Sequence, residues 1–171
     1  DLNNPYPDGM TFANSYSPFP DFDYTFRTYQ CNDSDGGGGC DDTYIDVDQS
    51  SNTGGCMAVF EQGGLAQSFI PNASSYSGAG IEFTAVSTGD EVTISLWDAL
   101  PNASGTMLAT GTGTRDGTTW LDVEWTPINV TPGNTYYLVF ELASGDTNQC
   151  IAGDLNNPYP DGMTFANSYS P

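Results

Sequence analysis

Carboxylates dominate what this chain could do chemically, and they crowd one short stretch. Asn32-Asp33-Ser34-Asp35-Gly36 is followed closely by Asp41, Asp42, Asp46 and Asp48. Hard oxygen ligands at alternate positions ahead of a glycine resemble the opening of calcium loops, which the short Asp side chain suits. No Glu stands at the twelfth position, so this is not an EF-hand. The expectation is a Ca2+ ion held by Asp33, Asp35, Asp41, Asp42, Asp46 and Asp48, neutralising crowded charge and stiffening a joint. The alternative is a solvated acidic spacer. Carboxylate pairs also hydrolyse glycosides, and Glu124 with Glu141 or Asp122 would be the candidates. Acids this frequent make such pairs inevitable, and alternation turns Asp122 and Glu124 to solvent. No catalytic residue is assigned, and the chain is expected not to be an enzyme.

The other reactive groups are Cys31, Cys40, Cys56 and Cys150, none in a CxxC, which allow three pairings. Cys31 and Cys40 bracket a glycine-rich loop able to close on itself, which favours that pair together with Cys56 and Cys150. The remaining pairings, a crosslink between repeats, and free buried thiols are the alternatives. An even count in an acidic, Gly-rich chain favours an oxidising exterior. Trp97, Trp120, Tyr137 and Tyr29 fall opposite the main apolar stripes of their segments. Such rings serve contact between units, simple packing beneath loops, or the stacking of sugars. Asn32, Asn72, Asn102 and Asn129 open glycosylation sequons, which are weak evidence in a chain so rich in Asn, Ser and Thr.

These groups are placed by a repeat. Residues 1–18 recur letter for letter as residues 154–171, 153 positions later. Identity over such a length is not chance, and an ancient duplication would have drifted. The expectation is a little over one period of a tandem array whose unit is a whole domain. Residues 1–30 would be the C-terminal strands that complete a preceding repeat. Residues 31–42 would form a Cys/Gly/Asp-rich linker, and 43–171 the next repeat, lacking its last strand.

Charge excludes several partners. Twenty-two acids face only Arg27 and Arg115, with no Lys or His, for a net charge of −20. Nucleic acid needs a cationic surface, so it is excluded, and no apolar run is long enough to insert into a membrane. Without His there is no Ser-His-Asp or Cys-His nucleophile and no typical zinc site, and without Lys no Lys–Asn isopeptide crosslink. Abundant aromatics with frequent Gly and Pro mark a turn-rich β protein, not a disordered one.

The pattern along the chain agrees. A short strand-like piece lies around 10–14, and Phe22, Tyr24 and Phe26 alternate with Asp23, Thr25 and Arg27. Further strands are expected at 42–48, 57–60, 65–70, 80–86, 91–97, 107–110, 120–125, 134–142 and 147–152, with Asp116-Gly117 as a hairpin turn. Ile81, Phe83 and Ala85, then Val92, Ile94 and Leu96, then Leu121, Val123 and Trp125, and Tyr136, Leu138, Phe140 and Leu142 form the inward faces. No window has helical periodicity. The fold class is all-β, an antiparallel β-sandwich of jelly-roll-like type, one domain per ~153-residue tandem repeat.

Four phrases carry a resemblance: Leu65-Ala-Gln-Ser-Phe-Ile, Glu91-Val-Thr-Ile-Ser-Leu-Trp-Asp, Gly105-Thr-Met-Leu-Ala-Thr-Gly and Val130-Thr-Pro-Gly-Asn-Thr-Tyr-Tyr-Leu. In that order they look like the β-sandwich modules repeated in large secreted bacterial surface proteins of adhesin type. Such modules close with a phrase similar to Asn157-Pro-Tyr-Pro-Asp-Gly followed by Phe22-Asp-Tyr-Thr-Phe-Arg-Thr-Tyr, which puts the unit boundary in the Gly-rich linker. The resemblance covers most of one period, through β phrases of low functional specificity. It implies a structural repeat of an extracellular bacterial fibre or giant adhesin at the cell surface. Identical neighbouring repeats are the expected partner, in a covalent tandem array or by strand donation. The alternative is a carbohydrate-binding module of a secreted multi-domain protein.

Overall fold

The computed structural model describes residues 16–19, 21–32, 40 and 42–167. Thirteen strands are assigned among them: β1 (Ser17–Phe19), β2 (Asp23–Tyr24), β3 (Phe26–Asn32), β4 (Asp42–Gln49), β5 (Gly55–Val59), β6 (Leu65–Phe69), β7 (Ser75–Glu82), β8 (Thr88–Trp97), β9 (Met107–Asp116), β10 (Trp120–Asn129), β11 (Tyr136–Ser144), β12 (Cys150–Asp154) and β13 (Met163–Ala166). The helical pieces among the described residues are two 3₁₀ turns, at Phe60–Gln62 and Pro101–Ala103. No helix there is long and apolar enough to cross a membrane.

All ladders are antiparallel, and they form three sheets. One runs β1-β13-β6-β11-β8-β9, a second β10-β7-β3-β4, and a third, small one β2-β12-β5. The fold is an all-β sandwich, as expected. Alternation makes it so: Val92, Ile94 and Leu96 on β8, and Leu138 and Phe140 on β11, face Ile81 on β7 and Leu121 and Val123 on β10 in one buried cluster. Burying a side chain of this size contributes roughly 1.5–3 kcal/mol, so this inward row sets the two-layer arrangement. The strand-like piece expected around 10–14 lies outside the described residues. Its duplicate is β13.

Three details differ from the reading of alternation alone. Asp23 and Thr25 alternate with Tyr24 and Phe26, the pattern of a strand with one wet face, yet both are fully buried. The chain passes from the small sheet to the four-stranded one between β2 and β3, so both of its sides are covered. Ala85 is exposed, because β7 ends at Glu82. Asp116-Gly117 is not a hairpin turn: β9 and β10 belong to different sheets, and the dipeptide turns the corner between them. Asp116 Oδ1 accepts from the Thr118 amide and hydroxyl (3.2 and 2.8 Å), and Gly117, at φ 96°, donates to the Ser87 carbonyl (2.8 Å).

The early strands are interior to this architecture. β3 lies between β7 and β4, and among the described residues β4 pairs with no other strand. Tyr24 and Phe26 are fully buried, Tyr24 edge-on to Phe140 (5.6 Å) and Phe26 against Tyr159 (5.6 Å) and Phe69 (6.5 Å). In the single chain, residues 17–32 therefore occupy the place of closing strands for the body formed by residues 42–167. Gly153 shows how closely they fit: a Cβ there would lie 2.3 Å from the Asp23 carbonyl oxygen. Losing two fully buried aromatic residues costs about 3–5 kcal/mol each. A chain of residues 42–171 alone is thus expected to show no cooperative thermal transition by circular dichroism. Adding a peptide of residues 16–32 should restore one. A stable, cooperative transition without the peptide would contradict this account of the core.

Candidate functional site

The candidate site is the seam along which residues 16–32 join the body, because buried Asp23, Thr25, Gln49, Gln67, Asp154 and Thr164 gather there. β2 lies against β12 with Asp23 opposite Asp154 and Tyr24 opposite Gly153. Two carboxylates at adjacent ladder positions repel unless each is separately satisfied. Asp23 Oδ1 accepts from the Gln67 amide (2.9 Å) and Oδ2 from the Tyr159 backbone N–H (2.9 Å). Gln67 in turn accepts from the Tyr24 N–H (3.0 Å) and the Thr164 hydroxyl (2.8 Å) through Oε1. The Tyr24 hydroxyl donates to the Phe165 carbonyl (3.2 Å), and Gln49 Nε2 donates to the Tyr24 carbonyl (3.0 Å). Thr25 Oγ1 donates to the Ser51 carbonyl (2.7 Å). Every rung of β2 is thereby read by a specific partner, and a one-residue slip would orphan several at about 1–3 kcal/mol each.

The two facing carboxyls titrate in opposite directions. Burial pushes Asp23 up, with Asp154 adding to the rise, against the bonds from Tyr159 and Gln67. Asp154 is held well below the usual carboxylate range, first by the hydroxyls of Ser51 and Thr53, then by the backbone and side-chain N–H groups of Asn156. Burial also pushes the Tyr24 phenol far up, so it stays a neutral donor.

Farther along the seam, Arg27 forks onto Asp122, Nε to Oδ1 at 2.8 Å and a second N–H to Oδ2. The Tyr29 hydroxyl donates to the same Oδ1 (2.6 Å), and the guanidinium lies over the Trp120 ring at 4.1 Å. Gly80 makes room for this: a Cβ there would meet Asp122 Oδ1 at 2.1 Å. A half-exposed pair of this kind contributes at most about 1 kcal/mol. It fixes where β3 sits on β7 and β10.

The four aromatic residues singled out from sequence thus divide. Tyr29 and Trp120 are half-buried on the outer face of the four-stranded sheet. Trp97 and Tyr137, ladder partners on β8 and β11, lie on the outer face of the six-stranded sheet. There they surround Ala66, Val139 and Phe165, with the Tyr137 and Phe165 rings 5.8 Å apart. Tyr16 packs on the same cluster, its phenol pushed up to about 12 by burial and by Glu141.

Of the expected calcium ligands, Asp33, Asp35 and Asp41 lie outside the described residues. Asp42 is exposed at the start of β4. Asp46 accepts from the Asn72 N–H (2.9 Å) and from the Tyr76 hydroxyl, and Asp48 stands opposite Arg27. Among the described residues no group of three or more His, Cys, Asp or Glu gathers around a common point. The favoured cysteine pairing is the one present: Cys31 with Cys40 and Cys56 with Cys150, Cα–Cα 5.3 and 5.5 Å. The second ties β5 to β12, closing a 94-residue loop worth on the order of 4 kcal/mol. Two such bonds fit an oxidising compartment. Glu124 and Glu141 stand on strands of different sheets, and Asp122 is engaged by Arg27 and Tyr29.

Comparison with family models, with curated proteins and with solved structures finds no match to this chain.

Asp154 belongs to the duplicated stretch, and its lowered pKa sets the sign of a pH effect. Its stabilisation is present above the unfolded carboxylate value of about 3.9 and is lost as pH falls through the lower folded value. Asp154→Asn is expected to lower Tm at pH 7, and the gap to the parent should shrink steadily below about pH 4. A gap that stays constant from pH 7 to pH 2.5 would show that the charge of Asp154 is not what the hydroxyls hold.

Proposed function

We propose that the chain is a structural repeat of an extracellular fibre or giant adhesin of a bacterial surface, with no catalytic role. The observation that carries this is the duplication taken together with the seam. Residues 154–171 supply β12's end and β13, and the identical residues 1–18 lead into the strands that β12 and β13 receive. A chain with this pattern offers, at each period, both a body needing strands and the strands themselves. Such an arrangement polymerises head to tail, by covalent continuation or by strand addition between chains. The strongly acidic surface, the two disulfides and a cation inventory of two arginines, both engaged, suit a durable object outside the cell.

The sugar-binding alternative needs open ring faces. Arg27 covers one face of Trp120, and Trp97 and Tyr137 sit against an apolar cluster with Phe165, which favours packing or contact between units. Electron microscopy of the native material is the direct test. Filaments with one sandwich per axial repeat are expected. Isolated particles that bind a polysaccharide, with binding lost on Trp120→Ala, would replace this reading with a carbohydrate-binding module.

Calcium at the acidic joint is part of the proposal, resting on Asp33, Asp35, Asp41 and Asp42 around the glycine run. A calcium ion there would screen carboxylates that stand close together in the sequence. Melting temperature is therefore expected to fall in excess chelator and to recover with Ca2+ but not with Na+ at equal ionic strength. Equal melting in chelator and in calcium would remove the ion from the proposal.

A further inference from the structure

We infer that, in a chain carrying successive copies of this period, the strands closing each body come from the copy that follows. They would enter through a three-residue hairpin, and Cys40 of each copy would be bonded to Cys31 of the next. This rests on the repeat reading above, with its direction of closure and its glycine-rich joint, and adds the hairpin that delivers the strands and the disulfide that holds them.

The ladder between β1 and β13 carries the argument. Ser17 stands opposite Ala166, Pro18 opposite Phe165 and Phe19 opposite Thr164, antiparallel. Ser17-Pro18 has the same letters, at the same place in the period, as Ser170-Pro171. If the strand opposite β13 were the continuation of β13 itself, Ser170 would face Ala166, with Asn167, Ser168 and Tyr169 between them. Three residues is one of the common hairpin loop lengths, and antiparallel pairing is what a hairpin requires. The register adopted by the distant N-terminal strand is the register that direct continuation would impose. Any other offset would have demanded a different loop.

Loop lengths choose between the two directions. If each segment instead closed the body that follows it, the joint between bodies would be residues 167–169. Asn167 is docked on its own body, its N–H on the Gly63 carbonyl (3.1 Å) and its side-chain amide on the Gln62 carbonyl (2.7 Å). Ala166 to Ser170 spans at most ~14 Å of extended chain, too little to step between sandwiches without collision. Closure from the following copy leaves the joint between Asn32 and Cys40, which reaches up to about 29 Å extended. Gly36, Gly37, Gly38 and Gly39 lie within it. The short connection is suited to a turn and the long one to a joint.

The disulfide follows from this choice. Cys31 sits on β3 opposite Thr43, next to Asn32 opposite Asp42, and its bond reaches Cys40 just ahead of β4. When β3 is delivered by the next copy, its Cys31 travels with it and meets the Cys40 of the body it enters. The bond then encloses nearly a whole period in place of nine positions, and it locks the first strand of a body to the last.

A permuted chain tests this: residues 40–171 followed directly by residues 19–32. It holds every described strand, with Ser170-Pro171 standing in for Ser17-Pro18. It is expected to fold with a Tm close to that of the present chain and to yield a Cys40–Cys31 peptide pair by mass spectrometry after non-reducing digestion. Deleting Ser168 should lower Tm by about 10 °C or more in the permuted chain and leave the present chain unchanged. A permuted chain that does not fold, or one indifferent to the deletion, overturns the inference. Absence of filaments in microscopy would count against the repeat reading alone, since the permuted chain is read on single molecules.

Discussion

Everything in this molecule depends on one insertion: β3 between β7 and β4. Without it β4 has no ladder partner among the described residues, β7 has an open edge, and the hole left by Phe26 reaches the centre of the core. An unpaired interior edge is both a stability defect and a template for other strands. The body therefore has a strong, shape-specific demand for one short segment. The seam makes that demand selective, because Asp23, Gln67, Gln49 and Asp154 form a buried polar code that only the correct register satisfies. Apolar burial supplies the driving force, and the hydrogen bonds decide which alignment is allowed.

The two cations are spent on complementary tasks. Arg27 rides on the inserted strand and meets Asp122 and Trp120 at the surface, a contact that aligns more than it stabilises. Arg115 is buried at the corner between sheets, its guanidinium 3.8 Å from the Phe83 ring centre and donating to the carbonyls of Ala85 (2.6 Å) and Thr118 (3.0 Å). Burial lowers its pKa, and the nearby Asp90 and Asp116 oppose that shift. With so few positive charges, Asp154, Asp90 and Asp116 accept from hydroxyls and backbone N–H groups instead. Ser51, Thr53, Ser87 and Thr118 each serve in this way.

Period-two alternation in the sequence was enough to place β8, β10 and β11 and their inward residues, because those strands have one wet face and one dry face. It misled at Asp23 and Thr25, where the chain changes sheets and both faces are dry. It also misled at Asp116-Gly117, since a turn signal does not say whether the next strand stays in the same sheet. Loop length sufficed to favour the cysteine pairing. The seam was not legible: the Tyr24 hydroxyl and the carbonyl it reaches are 141 positions apart, and no local pattern encodes such a bond. The only traces are polar residues in apolar company, Asp23 between Phe22 and Tyr24, and Gln67 within Leu-Ala-Gln-Ser-Phe. The duplication was legible at once, but the register that gives it meaning appears only when β1 is seen beside β13.

The neighbouring positions of Asn32 and Asp42 have a consequence for how a string of these units would bear tension. If one copy's β4 and the next copy's β3 share a body, force enters and leaves each sandwich at two adjacent points bridged by Cys31 and Cys40. Pulled at that end, an antiparallel pair would unzip one hydrogen bond at a time. With the sulfur bridge intact, the pull runs through covalent bonds alone, and the sandwich hangs from the line as an unloaded pendant. Reducing that one bridge would turn each pendant into a spring that yields and lengthens.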